Sequence, residues 1–372
     1  MFVEDLKEDF YNVLLGNRVL LLVHYDVDAI CTCKILQGMF KCDNISYTLV
    51  PVGGVSDLKK AYEENNEEIK YVVLVNCGGT IDLVDILQPE SEIVFFVLDS
   101  HKPTDICNVY SDCQVRIIHK DDDENIPNFD DIFRDDDDEE EEEQLESGLE
   151  ALEAVVEKRR ERRAWEERRH TLMFNYTQFS YYGKPSACVA LEAAWVCSRA
   201  VGGAVGGALW AAGVALAAHE ALALRAPAQC LLAAGPLYSR IAASAHDDAP
   251  ASRGQVCVQK EAWLPLYRRW SVEAALRHAP ALAPRLKLHA AAGASLLRRL
   301  LADMGFPLQQ ARQAYRAMDV ELRRALLPAL EQAAAKHQLP APTRASFVLA
   351  RPHAPALPAL DLVLALMALL EH

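Results

Sequence analysis

Five short apolar runs punctuate the first 120 residues, at Val19–Val23, Tyr47–Val50, Tyr71–Val75, Ile93–Leu98 and Val115–Ile118. They lack the in–out alternation of half-exposed strands, so both of their faces must be covered. Segments of helical pattern lie between them, at Ala29–Phe40, Ser56–Asn65 and Ile81–Leu87, with Ser56 placed to act as an N-cap. Buried strands alternating with helices predict an α/β fold, a Rossmann-like parallel sheet with right-handed connections.

Sheets of this kind gather ligands at the carboxyl ends of their strands. The first run ends in His24-Tyr25-Asp26-Val27-Asp28, an imidazole and two carboxylates suited to a divalent cation and phosphoryl chemistry. Asp28 equally suits a helix cap beside Ala29. The second run ends in Pro51-Val52-Gly53-Gly54, the third in Asn76-Cys77-Gly78-Gly79 and the fourth in Asp99-Ser100-His101. A two-metal centre needs a bridging carboxylate to offset the repulsion between its ions. Asn76 stands at the bridging place and offers a neutral amide. His24, Asp26, Asp28, Asn76, Asp99 and His101 therefore read as the remnant of a metal site, with no metal and no cofactor expected.

The rest of the chain is uneven in charge. Residues 1–170 hold 18 Lys and Arg against 41 Asp and Glu, whereas the remaining 202 hold 20 against 12. Asp135–Glu143 is nine consecutive acidic residues, which self-repulsion keeps extended, so residues 121–148 are expected to form a disordered acidic linker. A basic helix is expected over 149–173. Its cluster Lys158, Arg159, Arg160, Arg162 and Arg163 suits nuclear import or nucleic-acid contact, or pairs with its own Glu residues four positions away. Residues 174–372 read as mainly helical, Ala-rich and broken at Pro227, Pro236, Pro250 and Pro280. Two clearer helices flank Gly305-Phe306-Pro307. Trp195, Trp210, Trp263 and Trp270 are expected in the core.

Ten cysteines without zinc spacing suggest reduced, buried thiols in a reducing compartment. The N-terminus lacks the basic start of a signal peptide. Val201–Ala218 is uncharged but mostly Ala and Gly, so a packed helix is expected there and no membrane partner.

His24-x-Asp26-x-Asp28, Asn76-Cys77-Gly78 and Asp99-Ser100-His101 resemble the motifs of the DHH phosphoesterase superfamily, which includes the RecJ exonucleases. Active members carry Asp at the third-strand position and an Asp-His-His tripeptide; this chain departs at Asn76 and Ser100. Further segments narrow the resemblance to the inactive RecJ relatives of the eukaryotic replicative helicase. They include Tyr47-Thr48-Leu49-Val50-Pro51-Val52, Asp85-Ile86-Leu87-Gln88-Pro89, Arg162-Arg163-Ala164-Trp165-Glu166 and Leu301-Ala302-Asp303-Met304-Gly305-Phe306-Pro307-Leu308.

That resemblance implies a DHH-like α/β domain over 1–120 and a non-catalytic scaffold in the nucleus. The scaffold would link the MCM hexamer and the GINS complex, with contacts to DNA polymerases and single-stranded DNA. The helical part would include the group's MCM-interacting insertion. Members run past the point matching His372 into a RecJ-type domain, which is expected to be missing here. The alternative is a Mn²⁺- or Mg²⁺-dependent phosphodiesterase or single-strand exonuclease.

Overall fold

A computed structural model describes residues 1–111, 114–122, 124–134, 149–199, 203–244, 255–351 and 354–371. The chain divides into two compact units. One holds Met1–His24 and Asp43–Val189, the other Tyr25–Cys42 and Ala190–His372.

In the first unit the strands are β1 (Val19–His24), β2 (Tyr47–Val52), β3 (Tyr71–Val75), β4 (Val94–Leu98), β5 (His101–Lys102), β6 (Val115–Ile117) and β7 (Tyr181–Tyr182). Five of them form a parallel sheet in the order β2-β1-β3-β4-β6. Every predicted run is a strand of this sheet, to within two residues at each end. Leu20, Leu22, Val72, Leu74, Phe95 and Val97 are buried against Leu58, Tyr62 and Leu83. Each such Leu or Phe contributes roughly 2 kcal/mol by leaving water. The Val55–Asn65 helix is capped at Gly54, with Ser56 in its first turn, so Ser56 is not the cap.

The expected linker over 121–148 is corrected at its start. Asp121 and Glu124 bind Lys102, and Phe129–Ile132 is a short helix whose Phe129 stacks on Phe133. The acidic run Asp135–Glu143 lies outside the described residues. The basic helix is longer than expected, running from Leu149 to Thr177.

In the second unit, the helices include Val27–Cys42, Gly203–Ala221, Pro227–Ser244, Gly293–Asp303, Val320–Lys336 and Ala359–Leu370. Pro227 begins a helix and Pro236 lies inside one, so neither breaks the pattern. The mainly helical expectation missed an antiparallel sheet of β8 (Gln255–Ala262), β9 (Thr343–Arg351) and β10 (Ala354–Pro358), ordered β10-β9-β8. Leu264, Val272, Leu276, Leu300, Leu301 and Leu330 lie in one buried cluster of this unit.

None of the four tryptophans is fully buried, and Trp270 is 40% exposed. Arg240 stacks over Trp195 at 4.8 Å and Arg344 over Trp263 at 4.7 Å, so these rings are covered by cations. Cys31 and Cys33 are buried as expected, but Cys42 and Cys107 are exposed. Among the described residues, no helix is long and apolar enough to cross a membrane.

Candidate functional site

The sheet register brings the predicted strand ends together. Val23 lies opposite Val75, and Val75 opposite Leu98, so the residues that follow, His24, Asn76 and Asp99, emerge side by side. They line a cavity of about 180 Å³ with Cys77 and His101. The His24 and His101 rings meet edge to face, with centroids 6.0 Å apart, and Tyr182 is the other ring neighbour of His101, at 5.0 Å.

Each polar side chain here is engaged by the chain itself. Asp99 Oδ1 accepts from the His101 backbone N–H at 2.9 Å and contacts His101 Nδ1 at 2.7 Å. Its Oδ2 accepts from Gly79 N–H at 2.9 Å. A Cβ on Gly79 would lie 2.8 Å from that oxygen, so the backbone approaches this closely only because residue 79 is glycine. His24 Nδ1 lies 3.1 Å from the Val52 carbonyl.

Asn76 is the centre of the arrangement. It is 3% exposed and takes a left-handed φ of 51°, which Asn tolerates better than most residues. Its Oδ1 accepts from Ser100 N–H at 3.2 Å, the Ser100 hydroxyl at 3.4 Å and the Ser186 hydroxyl at 2.6 Å. Ser186 opens the Ser186–Val196 helix, and nothing in its local sequence points to this role.

Asp26 and Asp28 fall in the other unit, at the start of the Val27–Cys42 helix. Asp26 is the capping residue, accepting from Ala29 N–H at 2.7 Å. Asp28, expected as the cap, lies inside the helix, buried, with its Oδ2 3.5 Å from His219 Nε2.

Sequence reasoning missed a buried ion network near the cavity. Lys102 Nζ donates to Glu124 Oε2 at 2.9 Å and to the Thr104 hydroxyl at 3.0 Å, and lies 3.8 Å from Asp121. Burial works to raise Asp121, but His119, the Lys184 N–H and Lys102 together hold it down at about 2. Glu124 is also held below its usual value, burial being outweighed by Lys102 and Thr104. Among the described residues, the one trio of donors close enough to share an ion is Asp82, Asp105 and Cys107. Burial and its two Asp neighbours push the Cys107 thiol up to about 12, so without a bound cation it is a protonated hydrogen-bond donor.

The chain matches the family model described as CDC45 over residues 19–155 and 133–372. It is 39% identical over 354 residues to the human cell division control protein 45 homolog, covering 90% of this chain and 62% of the relative. The homolog of Schizosaccharomyces pombe is 27% identical over 369 residues, covering 85% of this chain and 57% of that protein. The fold is similar to the crystal structure of CDC45 from Entamoeba histolytica, with a TM-score of 0.73 at 20% identity, over 98% of this chain and 63% of that one. The chain thus spans less than two thirds of the length of the relatives it matches.

Proposed function

The chain belongs to the CDC45 family, and from that premise we propose that it serves eukaryotic DNA replication as a non-catalytic scaffold in the nucleus. Its partners in this reading are the MCM hexamer and the GINS complex, with DNA polymerases and single-stranded DNA as further contacts. The observation that carries the non-catalytic part is Asn76. Its carbonyl oxygen is buried and taken up by Ser100 and Ser186.

A divalent metal pair is what the superfamily resemblance would bring to this place, and the residues do not fit it. A neutral amide cannot offset the repulsion between two ions. Ser100 stands where active members carry the first His of their tripeptide. Asp99 already accepts hydrogen bonds from Gly79 and His101.

Calorimetric titration with Mn²⁺, beside a cleavage assay on a labelled single-stranded oligonucleotide, tests this part. Neither saturable tight binding nor cleavage is expected. Metal-dependent cleavage that disappears in Asp26→Ala would overturn it. The scaffold part is tested by co-purification with MCM and GINS subunits, and failure to recover either counts against it. Arg159, Arg160 and Arg163 are exposed on the basic helix, which supports access by an import receptor.

A further inference from the structure

The Leu149–Thr177 helix extends for about 44 Å at 1.5 Å per residue. Among the described residues, its contacts with the rest of its unit follow one line. Trp165 Nε1 donates to the Asp130 carbonyl at 3.3 Å and Arg169 Nε to the Ile132 carbonyl at 2.8 Å. Met173 lines a cavity beside Thr104 and Ile106, and the Tyr176 hydroxyl donates to the Thr104 carbonyl at 2.7 Å. Positions 165, 169, 173 and 176 share one helical face.

The opposite side carries Val156, Arg160, Arg163, Glu167, His170 and Phe174, alternating four and three residues apart. That is the spacing of a coiled-coil seam. All six are exposed, Val156 by 52% and Phe174 by 56%. A helix that is polar on nearly every side is either laced by its own ion pairs or completed by something else. Among the residues whose side chains are described, the Arg162–Glu166 pair at 3.6 Å lies in solvent and on the flank of the helix, away from Val156, Arg160 and Phe174.

We propose that this outward stripe is a docking seam for an acidic amphipathic helix of another protein. Its carboxylates would face Arg160 and Arg163, and its apolar residues would face Val156 and Phe174. Charge complementarity selects the sign, since the stripe itself holds Arg160 and Arg163 against Glu167, and residues 156–174 as a whole hold seven Lys and Arg against four Glu. One feature selects a protein over a nucleic acid. The apolar residue at each end has no role against phosphates, whereas helix pairs use such anchors routinely.

The test uses the 372-residue chain and a fluorescent synthetic helix of 22 residues, with Leu at its end seam positions and Glu at those between. The controls are the same peptide with Lys for Glu, and a 20-nucleotide oligo-dT. The Glu peptide should bind, more weakly as salt rises, and the Lys peptide should not. Arg160→Glu with Arg163→Glu should weaken binding at least tenfold while circular dichroism stays unchanged. Val156→Ser with Phe174→Ser should also weaken it, at constant charge. Affinity unmoved by the arginine reversals would overturn the proposal, as would oligo-dT binding equally well with the same losses. Binding that appears only when residues 135–143 are removed would overturn it too, because the chain's own acidic run would then be the occupant.

Discussion

The Ser186 hydroxyl donates to the Asn76 side-chain oxygen at 2.6 Å, joining positions 110 residues apart in sequence. Ser100 approaches the same oxygen through its N–H and its hydroxyl. At a strand end where phosphoryl chemistry would need a charged bridge, a neutral acceptor is satisfied by buried hydroxyls. Ser186→Ala removes one donor and leaves the Ser100 N–H in place. A loss of about 1 kcal/mol is expected in urea unfolding. Asn76→Asp keeps the acceptor but buries a carboxylate, so its cost should be larger and grow from pH 5 to pH 8.

Lys102 is the cation shared by the buried Glu124 and the half-buried Asp121. Lys102→Met leaves Glu124 and Asp121 without it, and a loss of about 3–5 kcal/mol is expected. Adding Glu124→Gln to that variant should restore part of the loss, read from the same urea midpoints. If the double variant is no more stable than the single one, the pairing is not what Lys102 contributes.

Asp121 is held at about 2, below its unfolded value. Its contribution is fully present above the ordinary carboxylate pKa near 4 and is lost as pH falls toward 2, by about 2 kcal/mol. In Asp121→Asn, the fall in thermal midpoint between pH 4 and pH 2 should be shallower than in the parent chain.

Asp361 behaves in the opposite sense. Burial pushes it up to about 6, against the Leu266 N–H and nearby Arg269 and Arg268, with Glu261 adding to the rise. Between pH 4 and pH 6 the folded state holds a proton that the unfolded chain lacks, so stability falls as pH rises through that window. Asn keeps an oxygen for the Leu266 N–H, which Asp361 Oδ1 accepts at 3.0 Å. Asp361→Asn should therefore raise the thermal midpoint at pH 7.5, by on the order of 2 kcal/mol in stability, and flatten its dependence from pH 4 to pH 6.

Gly183 donates its N–H to the Ser100 carbonyl at 2.7 Å, and a side chain there would run into the Asp121 carboxylate. Gly183→Ala should cost about 1–3 kcal/mol by displacing that carboxylate. Far-ultraviolet circular dichroism should stay unchanged while the thermal midpoint falls.

The parallel sheet was legible because buried strands must be continuously apolar, and Val19–Val23 or Tyr71–Val75 can hardly be anything else at that length. The strand-end residues followed from the same reading, since register alone sets His24, Asn76 and Asp99 abreast. Ser186 was illegible because its role depends on a contact across the fold. The β8–β10 sheet was hidden by composition. Strands such as Thr343–Arg351 carry Ala, Ser and Arg where β-branched residues would have marked them, and β9 is held by pairing with both neighbours. Asp26 caps the helix in place of Asp28 because helices begin a residue or two away from where periodicity puts them.

The left-handed backbone at Asn76 limits the alphabet of that position. Glycine, asparagine and aspartate are the residues that take such a conformation readily. Glycine would leave the three donors from Ser100 and Ser186 unanswered, and aspartate would place a charge among them. Of these three, only asparagine supplies an oxygen without a charge. The backbone and its hydroxyl neighbours together select the one side chain that keeps this strand end electrically quiet.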